Sequence, residues 1–176
     1  IRVVVKTSQF TGDFETGLED WIAENGIWQV GTPTGLTCFE GTQCAGTILA
    51  GNYLSDADSR LISAPLVLPT VSGPEELHLQ FQNWFSYASH DYGQVQVSVW
   101  NGSGWGDWVN VGMASAGDSG IWFLKDLDLG PFAGQTIRLG FYHDAYPAYE
   151  SSGWYIDDIR VVVKTSQFTG DFETGL

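Results

Sequence analysis

The chain has 176 residues and carries 7 Lys and Arg against 21 Asp and Glu, a net charge of −14 at pH 7. Such a surface repels the phosphates of nucleic acids and of anionic membranes, so neither is expected as a partner. No apolar run approaches the ~20 residues that a membrane helix needs.

The composition predicts an all-β fold, because 22 glycines accompany many β-branched and aromatic residues, the mixture of strands joined by tight turns. In chain order, Gly12 to Thr16, Gly26 to Val30 and Arg60 to Leu66 read as early strands. Leu18 to Glu24 is the single helix candidate, and it is short. Leu77 to Gln82 and Gln94 to Val99 alternate apolar and polar residues, as half-buried strands do. Asn101-Gly102-Ser103-Gly104 reads as a hairpin turn, with Trp105 to Val111 as its return strand. Ile121 to Asp128 continues the pattern, and Gly130 to Gly134 breaks it. Thr136 to His143 places Ile137, Leu139 and Phe141 on one face, and Trp154 to Val163 is the last strand. Short strands at this spacing predict a two-sheet antiparallel β-sandwich, with a jelly roll as the topology.

The two ends repeat one another. Ile1 to Leu18 recurs letter for letter at Ile159 to Leu176, an offset of 158 residues. The period exceeds that of a solenoid and suits a whole domain that buries its own core. The sequence therefore reads as tandem copies: residues 1–9 as the end of a preceding repeat and its linker, 10–163 as one sandwich, and 164–176 as a linker and the start of the next repeat. Neighbouring copies, packed head to tail, are the expected partners.

Three stretches also carry a family likeness. Gly12-Asp13-Phe14-Glu15-Thr16-Gly17-Leu18-Glu19-Asp20-Trp21, then Gly51-Asn52-Tyr53 with Ser59-Arg60-Leu61-Ile62-Ser63-Ala64-Pro65, then Gly153-Trp154-Tyr155-Ile156-Asp157-Asp158-Ile159, follow one another in the order seen in MAM-type domains. Those are extracellular jelly rolls, and the chain resembles most their bacterial, choice-of-anchor-type relatives. The resemblance implies an adhesive or accessory role at or outside a bacterial cell surface, without catalysis. The cysteine placement departs from that of animal MAM domains, so their disulfide pattern is not carried over.

Candidate chemistry is sparse. Cys38 and Cys44 lie close together in a Gly/Thr-rich loop; a disulfide pinning that loop is the expectation, with free thiols as the alternative. Five carboxylates form the metal candidate: Glu15 on the first strand, Asp56 and Asp58 before the Arg60 strand, and Asp157 and Asp158 on the last strand. Asp91 is a further candidate. A calcium ion takes 6–8 oxygens of this kind. The adjacent pair Asp157-Asp158 should turn one carboxylate inward, where it needs either a cation or strong hydrogen-bond donors. Among the eight tryptophans, Trp105 and Trp108 flank the hairpin turn, while Tyr146 and Tyr149 lie in the loop before the last strand. These rings could pack against the next repeat or stack on sugars. His78, His90 and His143 have no partners at motif spacing, and no nucleophile elbow, metalloprotease helix or phosphate loop occurs. The reading is a non-catalytic, calcium-stabilised stalk or filament module, with a carbohydrate-binding module as the alternative.

Overall fold

The computed structural model describes residues 2–167, with side chains described for 12–165. Alternation decides how each strand faces. On Thr136–Asp144, Ile137, Leu139 and Phe141 are fully buried, so the intervening Arg138, Gly140 and Tyr142 lie on the opposite face. The same logic along the chain gives the two-sheet antiparallel sandwich that the composition predicts.

The strands in order are β1 (Arg2–Gly12), β2 (Ile22–Glu24), β3 (Gln29–Gly31), β4 (Cys44–Gly46), β5 (Asp58–Ile62), β6 (Leu66–Val67), β7 (Glu75–Ser86), β8 (Tyr92–Val99), β9 (Val109–Asn110), β10 (Phe123–Asp128), β11 (Thr136–Asp144) and β12 (Gly153–Gln167). The first sheet runs β10-β7-β12-β4-β3, with β1 also paired to β12. The second runs β2-β5-β11-β8-β9, with β6 also paired to β11. A 3₁₀ turn at Gly130–Phe132 follows β10. Between the sheets, Trp154 packs its ring against Phe141 and Trp28, each with centroids 5.6 Å apart. Leu61, Leu79, Phe81, Val97 and Ile156 fill the same core. Among the described residues no helix is long and apolar enough to cross a membrane.

Several local expectations need correction. Leu18 to Glu24 is a turn followed by β2, so the helix candidate is absent. Gly12 to Thr16 is the end of β1 and a turn, with Phe14 in the left-handed region (φ 58°) and its ring in the core. Of Trp105 to Val111 only Val109–Asn110 forms a strand, and Trp105 makes an isolated bridge to Trp100. The Gly/Thr-rich loop ends in a buried strand, β4, which the sequence hides because three small residues show no alternation.

Lys164–Gln167, read from sequence as linker, are the end of β12. Arg2–Val5, read as a neighbour's strand, pair with them inside this chain, Arg2 opposite Gln167 and Val5 opposite Lys164. The two copies of one sequence thus face each other antiparallel, since Lys6 lies opposite Val163 and Val5 opposite Lys164. The segment from Gly170 to Leu176 lies outside the described residues.

Candidate functional site

The outer face of the second sheet carries polar and aromatic groups where a sandwich usually presents solvated side chains. Arg138 and Tyr142 come from β11, Arg60 from β5, Gln96 from β8 and Asn110 from β9. The connection between β8 and β9 folds back over this face. A tight turn starts it: the Asn101 side chain accepts from the backbone N–H groups of Ser103 and Gly104. The Ser98 hydroxyl donates to the Gly106 carbonyl and ties the returning segment down. Trp105 and Trp108 are thereby laid across the strands.

The result is a ladder of alternating rings and cations. The Arg138 guanidinium carbon lies 4.2 Å from the Trp105 ring centre and 5.3 Å from that of Trp108. On the same Trp108 ring sits the Arg60 guanidinium at 4.7 Å, and it also lies 4.8 Å from the Tyr142 ring. A guanidinium stacked on a ring is attracted by the negative π face while its N–H groups remain free at the edge. Arg60 uses them: Nε donates to Gln96 Oε1 at 2.9 Å, and one Nη donates to Glu24 Oε2 at 2.5 Å. Gln96 is held in turn by Asn110, 2.9 Å away. Gly140 makes room for this packing. A Cβ there would lie 2.8 Å from Trp108 Cζ3 and 2.8 Å from Arg60 Cδ.

Beyond Tyr142 the face becomes acidic. Tyr142 and Tyr92 meet edge to face at 6.4 Å, beside Asp58 and Asp144. Burial, followed by the nearby Asp144 and Asp58 carboxylates, pushes the Tyr142 hydroxyl up to about 12. Burial and Asp144 also raise Tyr92.

The sequence-selected residues fall in four places. Trp105 and Trp108 are in the ladder. Tyr146 and Tyr149 are each 59% exposed on the loop between β11 and β12, where Tyr146 stands near His90. Asp58 starts β5 in the second sheet and Asp56 lies in the turn before it, whereas Asp157 and Asp158 belong to β12 in the first sheet. Glu15 and Asp157 do come together, across the loop that ends in β4. Glu15 accepts from the backbone N–H of Thr42 and Gln43 at 2.9 and 2.8 Å, which lowers its pKa. Asp157 accepts from the Glu40 N–H at 3.1 Å and from the Asp158 N–H at 2.8 Å.

The five carboxylates therefore do not form one group, and among the described residues no cluster of three or more His, Cys, Asp or Glu is arranged around a common point. A β-bulge between Asp157 and Arg160 explains the adjacent pair. It lets Ile156 and Ile159 both face the core, so neither Asp points into the sandwich. Asp157 is instead buried on the outer side of the first sheet, beneath the loop, and Asp158 pairs with Arg160. Burial, the largest cause, raises Asp157 to about 6, with Glu15 adding to the rise. Cys38 and Cys44 are joined in a disulfide, with Cα atoms 5.6 Å apart, that staples this same loop. The further candidate, Asp91, is buried and accepts from the Tyr53 hydroxyl at 2.5 Å and the Tyr146 N–H at 2.7 Å.

Arg60, Arg138 and Gln96 are the residues that sequence reasoning passed over. The signal was present, since alternation on the Thr136 to His143 strand assigns Arg138 and Tyr142 to the face opposite Ile137, Leu139 and Phe141.

This arrangement defines a two-sheet β-sandwich whose outer face bears an aromatic and arginine platform. No family model matches the chain. It is 34% identical over 165 residues to Bacillopeptidase F of Bacillus subtilis (strain 168), which covers 91% of the chain and 11% of that protein. It is 30% identical over 123 residues to the pre-pro-metalloprotease PrtV of Vibrio cholerae serotype O1 (strain M66-2), covering 66% of the chain and 13% of that protein. The chain thus spans only about a tenth of the length of the curated relatives it matches. Among solved structures it resembles a xylan-binding domain from CBM 22, with a TM-score of 0.58 and 14% identity over 92% of this chain and 98% of the other. TmCBM61 in complex with β-1,4-galactotriose gives 0.54 and 15% over 85% and 92%. The K3 adhesin domain of Lys-gingipain from Porphyromonas gingivalis w83 gives 0.53 and 20% over 90% and 99%. At these identities the likeness is one of fold.

Proposed function

We propose that this chain is a non-catalytic carbohydrate-binding module, and that the outer face of the second sheet, centred on Trp108, is where the sugar docks. The ladder of Trp105, Arg138, Trp108, Arg60 and Tyr142 carries the reading. Planar rings supply apolar faces for pyranose C–H surfaces, and the amides and guanidinium groups around them supply donors and acceptors for hydroxyls. The fold neighbours described as xylan-binding and galactotriose-bound favour this reading over a stalk or filament. The relatives named as proteases are far longer than this chain, so the module would hold a larger secreted protein at a polysaccharide surface. The disulfide between Cys38 and Cys44 agrees with an oxidising, extracellular setting.

A structural divalent cation belongs to the same proposal, reduced to Glu15 and Asp157. Two carboxylates near enough that Glu15 helps raise Asp157, with no cationic side chain among the described residues hydrogen-bonded to either, suit a hard ion. Carbonyls of the stapled loop would complete its shell. The ion would fix the loop on the first sheet, away from the sugar face.

The test of the sugar reading is affinity electrophoresis through gels containing single soluble polysaccharides, among them xylan and β-1,4-galactan. The protein should be retarded by at least one of them, and Trp108→Ala should run free while its melting temperature stays near that of the parent. Failure of every polysaccharide to retard it overturns the reading.

A further inference from the structure

We propose that the sugar face selects a glycan bearing a carboxylate, a neutral chain with sparse uronic acid branches, and that Arg138 is the residue that receives the acid. This deepens the carbohydrate reading and rests on it.

Among the described residues, the other cations of this acidic chain have partners of their own. Arg60 is paired with Glu24, Arg160 with Asp158 and Lys164 with Asp126, while Lys125 donates to the Met113 carbonyl at 3.2 Å. Arg138 differs from all of these. Its guanidinium makes no hydrogen bond and no ion pair with any described residue, and its Nε is buried without a partner. In a chain with 21 acidic residues, a half-buried arginine that only Glu24 reaches, through space and without a hydrogen bond, has donors left for something else. Unmade hydrogen bonds to a desolvated charged group are costly, so the fold tolerates this arrangement only with the two tryptophans supporting the cation.

The geometry also fixes the kind of anion. Contact with Trp105 and Trp108 restrains the guanidinium, and with Nε buried its two Nη groups are the fork left for a ligand. Such a fork matches the two oxygens of a planar carboxylate. Arg60, one rung away on Trp108, already holds the Glu24 carboxylate, through a single Nη1–Oε2 bond because its Nε is taken by Gln96. That pair leaves Arg60 neutralised and Arg138 as the open position.

The rest of the face limits how many acids the ligand can carry. Glu24, Asp58 and Asp144 lie on the same side of the sheet, and the whole chain is at −14. A polyanion would place further carboxylates against these groups. One uronic acid seated on Arg138 meets attraction locally, and repulsion from more distant charges is screened beyond about 8 Å at physiological salt.

Calorimetric titration should compare three ligands on the intact chain: glucuronoxylan, the same polymer after chemical reduction of its carboxyl groups, and a homopolyuronate. The expected result is binding to native glucuronoxylan at least tenfold tighter than to the reduced form, with the homopolyuronate weaker than the native branched chain. Arg138→Gln should bring the native and reduced forms within twofold of one another, by weakening the native form at least fivefold more than the reduced one. Arg138→Lys, which keeps the charge and loses the fork, should fall between. Melting temperatures of both variants within a few degrees of the parent keep the comparison valid, and Arg138→Lys serves if Arg138→Gln fails to fold. Equal binding of native and reduced polymer overturns the acid preference and leaves the sugar reading standing. Tighter binding of the homopolyuronate, or of a sulfated xylan run as a control, overturns the sparse-carboxylate assignment. Binding of none of these polymers, after none retards the protein in gels, removes both readings.

Discussion

Trp108 lies directly over Gly140, and the missing side chain at 140 is what lets the ring settle on the sheet. A Cβ there would come within 2.8 Å of both Trp108 Cζ3 and Arg60 Cδ. Both obstructing groups are side chains on a solvent-facing surface, so they can move outward. Gly140→Ala should therefore cost little stability, about 1 kcal/mol or less, while lifting Trp108 and separating the two cations of the ladder. Near-UV circular dichroism should change, and retardation by polysaccharide should be lost. Unchanged binding in Gly140→Ala would place the sugar elsewhere on the molecule.

Gly93 makes the contrasting case. Its Cβ position is occupied by the ring of Trp154, which is fully buried, donates to Asn83 Oδ1 at 2.6 Å and packs against Phe141 and Trp28. Trp154 has nowhere to go, so Gly93→Ala should cost about 3 kcal/mol through overpacking. Urea unfolding would show a lower midpoint with an unchanged slope. A loss below about 1 kcal/mol would mean that the core around Trp154 relaxes far more freely than its contacts indicate.

These two glycines show what sequence conveys and what it conceals. The alternation of Ile137, Leu139 and Phe141 made β11 legible, and with it the face on which Arg138 and Tyr142 stand. Neither glycine announced its role, because a close approach is a relation between distant segments. The ladder was concealed for the same reason. Arg60 and Arg138 come from strands 78 residues apart in number (138 − 60), and Trp105 and Trp108 reach them from an irregular segment with no period. Asp157 and Asp158 misled differently: strict alternation turned one of them inward, and the bulge removed that constraint.

The cation proposal has a direct measurement. Calcium should raise the melting temperature at pH 7.5 by mass action on the folded state, and chelation should reverse the shift. Glu15→Gln and Asp157→Asn should each abolish the response, whereas Asp56→Asn and Asp58→Asn, in the turn before β5 and at its start, should retain it. A response that survives both Glu15→Gln and Asp157→Asn would move the site away from the stapled loop.

Two buried groups should shape the pH dependence of stability in opposite senses. His143 is fully buried, with Nδ1 against the Tyr87 hydroxyl at 3.0 Å and Nε2 without a partner. Burial lowers its pKa from 6.5 to about 4. Its folded pKa is depressed, so its contribution is complete above pH 6.5 and is lost as pH falls toward 4. Asp157 has a folded pKa raised from 3.8 to about 6. Its contribution is complete below pH 3.8 and is lost as pH rises through 6. Each shift corresponds to about 3 kcal/mol at most, and between pH 4 and 6 the two largely offset each other. Unfolding free energies measured in chelator across that window should expose them separately. Relative to the parent, Asp157→Asn should gain stability progressively as pH rises from 4 to 6, and His143→Gln should gain it progressively as pH falls from 6.5 to 4. The difference curves are diagnostic because every other titrating group is common to the variant and its parent. A flat difference curve for Asp157→Asn would mean that the carboxylate is charged at low pH in the folded state, compensated by the N–H donors of Glu40 and Asp158. A flat curve for His143→Gln would mean that the buried imidazole gains a proton without opening the core.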